Sequence, residues 1–252
     1  ARISRIIESP GGHALLVGVG GMGKQSLARL ATFVNGYSTF QVVITARYNV
    51  NDLKADMMTM YKRAGVKSEG ICWLLTDGQI VKEEFLVYIN DFLSSGNIPD
   101  LFDRETKDDV INAVRNEVKS EGMVDTNDNC WEFFLDRIRA NLHVVFTASP
   151  VGDDLRIRSQ RFLALINCTV IDWFQPWPEQ SLLDVAKKFM QDVEMVESED
   201  DATSEKIRQG IVEFMPYSFA LVGKTSQAYL AHEKQHVHTT PKSFLELIKL
   251  YM

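Results

Sequence analysis

Positive charge is in short supply in this sequence: 27 Lys and Arg stand against 34 Asp and Glu, a formal net charge of −7. A chain of that sign repels phosphate backbones, which argues against sequence-independent nucleic-acid binding and against direct docking on an acidic polymer surface. Cysteine is scarce as well. Cys72, Cys130 and Cys168 are three widely spaced thiols, and an odd, scattered set gives neither a disulfide framework nor a zinc knuckle. Cys72 and Cys168 fall in apolar, strand-like runs, where a thiol serves as a small hydrophobe, and the pattern fits a reducing compartment. Long hydrophobic runs are missing too. No stretch nears the roughly 20 apolar residues that cross a bilayer, so no membrane partner is expected. Arg2 and Arg5 are followed by too short an apolar stretch for a secretory leader. Internal repeats and low-complexity tracts are absent, and neither Ala1 nor Met252 reads as the natural border of a domain. Asn167-Cys168-Thr169 matches a glycosylation acceptor, but it sits in a segment that reads as entering a buried strand.

What is present is an ordinary globular composition, 45% apolar and 24% charged over 252 residues. That length suits one large domain, or a large one with a small one. Short runs rich in Val, Ile, Leu and aromatics recur at 13–18 (HALLVG), 40–45 (FQVVIT), 71–76 (ICWLLT), 143–148 (HVVFTA) and 168–174 (CTVIDWF). Each is short and continuously apolar, the pattern of a strand buried on both faces. Helical periodicity lies between them, at Lys24 to Asn35, from a cap at Asn51 or Asp52 to about Ala64, Glu83 to Leu93, Lys107 to Lys119 and Cys130 to Ala140. Strands alternating with helices predict an α/β fold, a parallel five-stranded sheet with helices on both faces and right-handed crossovers. The pattern changes near Pro176–Pro178. Beyond it no strand is expected, and helical periodicity runs through 179–193, 203–214, 222–236 and 241–251, with EMVESEDDAT (194–203) as a solvated acidic loop. The division is therefore a large α/β domain over 1–178 and a small all-helical lid over 179–252.

The strongest chemical signal is Gly18-Val19-Gly20-Gly21-Met22-Gly23-Lys24, a G-x-x-x-x-G-K run directly after a predicted strand and directly before a predicted helix. Glycines let the main chain wrap closely with its N–H groups turned inward. The helix N-terminus adds positive potential, and Lys24 reaches the outer phosphates of a nucleotide. The next position departs from the pattern. A Ser or Thr hydroxyl normally follows the lysine and holds Mg²⁺; here Gln25 stands there and Ser26 comes one place later. One step along a helix turns a side chain by about 100°, so Ser26 does not simply take over. The Gln25 carbonyl is a poorer ligand for a hard cation.

A second strand ending in acid normally supports the metal and polarises the attacking water. ICWLLTDGQI fills this slot, with Thr76 in the aspartate position and Asp77 in that of the glutamate, or with Asp77 as the metal-supporting aspartate and Gly78 following. In either register one carboxylate is missing, and Mg²⁺ contact through Asp77 and Gln25 is indirect.

Taken together, GVGGMGKQSLARLA, LLTDGQIVKEEFLVYINDFLSSGNIPDLF, NEVKSEGMVDTNDNCWEFFLDRIRANLHVVFTASPVG and INCTVIDWFQPWPEQSL are similar to the fourth AAA+ module of axonemal dynein heavy chains, in the family's order and over nearly the whole chain. Both Lys24-Gln25-Ser26 and the Thr76-Asp77 ending are typical of that module. The resemblance implies an ATP- or ADP-binding AAA+ module with Mg²⁺, and adenine as the base, for which Ile3, Ile6 and Ile7 are candidate pocket residues. It implies a sensor at Ser149, where Asn is usual, and an arginine that reaches the neighbouring module, with Arg161 favoured over Arg158 and Arg156. It also implies a second sensor at Lys242, where Arg is common and whose ammonium lacks a bidentate fork. The implied partners are neighbouring AAA+ modules of the same heavy chain in a ring. Microtubules are reached only through a stalk expected to begin about where Met252 ends the chain. The implied location is the cytoplasm and the axoneme of a cilium or flagellum.

One further motif is a decoy. His232-Glu233-Lys234-Gln235-His236 fits H-E-x-x-H, but no third ligand follows, the segment is polar and near a helix end, and His238 is expected to point elsewhere. Three functions remain, in this order: a regulatory module that binds nucleotide tightly with slow or absent hydrolysis, a competent ATPase using Asp77 as base, and a structural ring segment with an empty pocket. The weakened positions Gln25, Thr76 and Ser149 favour the first.

Overall fold

The computed structural model describes residues 1–191, 193 and 201–251. The chain forms two compact units, Ala1–Gly18 with Lys24–Trp173, and Val19–Gly23 with Phe174–Met252.

The first unit is built on β1 (Ala14–Val17), β2 (Ser38–Phe40), β3 (Ile71–Thr76), β4 (Leu142–Ala148) and β5 (Val170–Trp173). They form one sheet in the order β2-β3-β4-β1-β5, with every pair parallel. All residues of β1 and β4 are buried, as are the first five of β3, so these strands carry apolar side chains on both faces. Leu15, Val17, Trp73, Leu75, Val144 and Phe146 join the main core on one face. Helices α3 (Val50–Tyr61), α4 (Glu84–Ser95), α5 (Arg104–Ser120) and α6 (Asn127–Asn141) contribute most of its other residues. Helices α1 (Arg2–Glu8) and α2 (Lys24–Val34) pack on the strands from the opposite side. Two short helices, α7 (Asp154–Arg161) and α8 (Ala164–Asn167), lead into β5. The register sets Val17 beside Ala148 and Thr76 beside Thr147. Gly18, Asp77 and Ser149 therefore leave the sheet side by side at its carboxyl edge, where open α/β sheets place their ligands.

Several expectations are corrected. The second strand is not 40–45 but Ser38–Phe40. It lies at the sheet edge, and past Phe40 side chains replace the ladder: Gln79 Nε2 donates to the Val42 carbonyl and Arg29 to the Gln41 side chain, while Val43 is 79% exposed. The third helix starts earlier than Asn51, because Asn49 caps it in a reciprocal box with Asp52. It then widens into a π turn at Lys62–Val66 packed on α6. Cys168 is no strand residue; it caps the end of α8 and is partly buried.

The second unit contains α9 (Glu179–Met190), α10 (Asp201–Glu233) and α11 (Pro241–Tyr251). Leu182, Ala186, Met190, Val212, Met215, Phe244 and Ile248 form its core. Segments 203–214 and 222–236, expected as two helices, are one helix of 33 residues that runs through Pro216 and stops at Glu233. An interior proline costs about 3 kcal/mol, yet burial of Val212 and Met215 in the turn before it, and packing of Phe219 edge-on to Phe244 in the turn after it, holds the helix together. Of the acidic loop, 194–200 lies outside the described residues, and Asp201–Thr203 opens α10. Among the described residues no helix is long and apolar enough to cross a membrane.

Two histidines brace β1 against β4. His13 is 7% exposed and His143 is fully buried. Val144 N–H donates to His13 Nδ1 at 3.0 Å, which leaves the His13 proton on Nε2. His143 Nδ1 donates to the Gly12 carbonyl at 2.8 Å, and its ring stacks on Tyr37. Burial, and secondarily the charge of His143, push the His13 pKa down to about 4. Its folded value lies below its unfolded value. Stability is therefore whole above pH 6.5 and falls as pH drops toward 4, where the unfolded chain takes up a proton that the folded chain refuses. Over that window the loss should reach roughly 3 kcal/mol. Urea midpoints of the wild type and of His13→Asn, whose Oδ1 can replace Nδ1, should converge as pH falls. Parallel pH profiles would refute the assignment.

Candidate phosphate-binding site

Gly18 extends β1 by one bond, its N–H donating to the Ala148 carbonyl at 3.1 Å. The chain then turns through Gly21 and Gly23, with φ of 81° and 83°, angles at which an L side chain is strained. Helix α2 begins at Lys24, and no acidic residue stands in its first turn. The first four N–H groups of a helix have no partner within it, and here no acidic side chain of the first turn offsets their partial positive charge. A Cβ on Gly20 or Gly23 would meet nothing within 4 Å, so space over the main chain is open there. The Lys24 ammonium is half-buried and turns back to donate to the Gly18 carbonyl. Loss of water lowers its pKa, and the carboxylate of Asp77 opposes the shift. A curved run of main chain, an undecorated helix start and an ammonium group form a donor set that fits a polyphosphate.

The second strand end supplies the acid. Thr76 closes β3, its N–H held by Gln79 Oε1 at 2.9 Å, and Asp77 opens a 3-10 turn, Asp77–Gln79. Asp77 Oδ2 accepts from Ser149 N–H at 2.9 Å, and Oδ1 accepts from Gly78 N–H at 3.0 Å. Ser149 Oγ accepts from Val151 N–H at 3.3 Å. Lys24, Asp77 and Ser149 are thus brought together, with Thr76 adjoining. Gln25 and Ser26 lie exposed on the first turn of α2.

In the second unit, Lys242 N–H donates to the Gly21 carbonyl at 3.1 Å. Its side chain is 71% exposed and lies 3.6 Å from Glu246. Met22 is buried.

The remaining predicted residues are placed elsewhere. Arg161 is exposed in the last turn of α7, without an ion-pair partner among the described residues. Arg158 pairs with Glu83 at 3.1 Å, and Arg156 with Asp153 at 3.0 Å. Ile3 and Ile7 are buried on the inner side of α1, which packs on α2. Ile6, on the same helix, is half-exposed. The H-E-x-x-H motif breaks because α10 ends at Glu233 and Lys234 turns left-handed, φ 59°. His232 and His236 thus do not share a helix face. His238 does not point away either: its ring stacks on that of His236 at 5.6 Å. Among the described residues no group of three His, Cys, Asp or Glu converges to hold a metal. Sequence reasoning missed Gln79 and Thr240. The D-G-Q turn after β3 offered a faint signal for the first, and only the folded chain shows the second.

A parallel sheet whose first strand passes through a glycine loop into a lysine-headed helix, with an aspartate at the carboxyl end of β3, defines a P-loop α/β module. Residues 1–252 match the family model described as P-loop containing dynein motor region D4, and the chain belongs to that family. It is 57% identical over 250 residues to the dynein alpha chain of the flagellar outer arm of Chlamydomonas reinhardtii. It is 50% identical over 250 residues to the ciliary dynein beta chain of Heliocidaris crassispina, and 49% over 249 residues to dynein axonemal heavy chain 9 of Homo sapiens. Each match covers 99% of this chain and 5% of the relative.

Proposed function

We propose that this chain is the fourth AAA+ module of an axonemal dynein heavy chain, a regulatory site that binds ATP or ADP tightly and hydrolyses it slowly or not at all. The observation that carries the reading is the loop itself. Gly18–Lys24 runs from β1 into an acid-free helix start, with the Lys24 ammonium at its root. Gly18, Gly20, Gly21, Met22 and Gly23 would offer main-chain donors to the phosphates, Lys24 its ammonium, and Gln25 and Ser26 the first turn of α2. Bound Mg²⁺ would neutralise charge on the phosphate oxygens, with Gln25 and Asp77 as its nearest protein support.

Slow turnover follows from the acid edge. Thr76 stands where a carboxylate would support the metal. The Asp77 carboxylate already accepts one main-chain N–H bond on each oxygen, so an attacking water would compete with both for its lone pairs. Ser149 engages its hydroxyl with the next turn. Loss of one preorganised group costs about 100- to 1000-fold in rate. A second reading, hydrolysis with Asp77 as base, draws on the same geometry, because Asp77 is fixed near Lys24. In the assembled motor, neighbouring modules would complete the site, Arg161 reaching one of them. Microtubules would be met through a stalk outside this chain, in the cytoplasm and axoneme of a cilium or flagellum.

The purified chain, denatured and weighed by mass spectrometry, should release close to one adenine nucleotide per molecule. Mixed with equimolar labelled ATP and Mg²⁺, it should leave most of the label as ATP after many minutes. Release of no nucleotide would sink the binding reading, and rapid conversion would favour Asp77 as a working base.

A further inference from the structure

The tip of the loop, Val19–Gly23, belongs to the same compact unit as α9–α11. Two contacts with the start of α11 hold it there. Lys242 N–H donates to the Gly21 carbonyl at 3.1 Å. Thr240 is buried and brings Oγ1 within 2.6 Å of where a Cβ on Gly21 would stand, with the Lys242 Cβ 3.0 Å from the same point. Lys242 is the second residue of α11, so its N–H is one of those without a partner inside the helix, and Pro241 before it has none. That donor goes to the loop. Thr240 is itself held in place, its carbonyl accepting from Phe244 N–H at 3.2 Å and its hydroxyl 3.4 Å from Ser243 Oγ.

We propose that the Thr240–Lys242 turn is a latch for the phosphate loop: Thr240 and the main-chain amide of Lys242 are positioning groups that fix the loop tip and pass nucleotide occupancy to α11. This deepens the preceding reading and rests on it. A run of three glycines in four residues has many main-chain states, and gathering it around phosphates costs entropy. Pinning the Gly21 carbonyl removes part of that cost before the ligand arrives. By linkage, a nucleotide that orders the loop must strengthen the same bond. The role is separate from that of the Lys242 ammonium, which is exposed beside Glu246.

Hydrogen exchange on the wild-type 252-residue chain tests the latch without mutation: Mg²⁺ with ADP should slow exchange of the Lys242 amide by about tenfold. Two variants then separate amide from side chain. Lys242→Ala keeps the N–H; Lys242→Pro removes it at a helix position where proline is tolerated. The proline variant should bind Mg²⁺–ADP about fivefold more weakly than the alanine variant, the worth of one amide bond. Gly21→Ala, whose new Cβ would stand 2.6 Å from Thr240 Oγ1 and 3.0 Å from Lys242 Cβ, should weaken binding as well. Unchanged exchange, or equal affinity in the two Lys242 variants, overturns the latch and leaves nucleotide binding standing. If the proline variant does not fold, the exchange result decides. A wild type that binds no Mg²⁺–ADP removes the binding reading and the latch with it.

Discussion

Lys24→Ala should cost the chain at least about 100-fold in affinity for Mg²⁺–ADP, the scale expected when a desolvated charge partner of a phosphate is deleted. Its ammonium is half-buried at the root of the loop, and loss of water lowers its pKa, so part of the solvent that would screen it from an anion is already removed. The substitution also removes the bond to the Gly18 carbonyl, so the readout must be specific to ligand. Nucleotide at 100 times its dissociation constant stabilises the folded chain by about 2.7 kcal/mol, and that gain disappears when affinity falls 100-fold. Melting curves with and without Mg²⁺–ADP should therefore separate widely for the wild type and nearly coincide for Lys24→Ala. An undiminished shift in the variant would mean that the ligand sits elsewhere.

A comparable effect, on stability, is expected at the other end of β1. Gly12→Ala would drive its new Cβ to 1.8 Å from the Ile6 carbonyl oxygen and 2.8 Å from that of Ser9. Both are main-chain atoms and cannot turn aside. The backbone must shift, and the Gly12 carbonyl that His143 Nδ1 reaches at 2.8 Å must shift with it. A loss of about 3 kcal/mol or more follows. Gly11→Ala is the control: its φ of 64° is strained but nothing lies within 4 Å of a new Cβ, so it should cost only about 1–2 kcal/mol. Urea denaturation of the three proteins checks the ordering, and equal midpoints for the two variants would contradict it.

Much of the first unit was legible because buried parallel strands write themselves as unbroken apolar runs: ICWLLT and HVVFTA fall within a residue of β3 and β4. FQVVIT has the same composition and leaves the sheet after its first residue, because edge position and the bonds from Gln79 and Arg29 are tertiary facts. The segments 203–214 and 222–236 read as two helices, yet packing carries one helix through Pro216. The loop from Gly18 to Lys24 was legible because main-chain geometry demands its glycines. The bond from Ser149 to Asp77 joins residues 72 positions apart, and the latch joins Gly21 to a turn near the far end of the chain. No local spacing encodes either.

The strand order has a consequence for how the chain is made. Ala14 of β1 pairs with Val145 and Val170, and neither exists until well over a hundred further residues have been synthesised. At 5–20 residues per second that delay is on the order of ten seconds. Throughout it ALLV is an apolar ribbon with both neighbours unmade, and closing such distant pairings is slow in itself. Biogenesis of this segment should lean on chaperones that shield its leading strand until the ribosome has delivered β4 and β5.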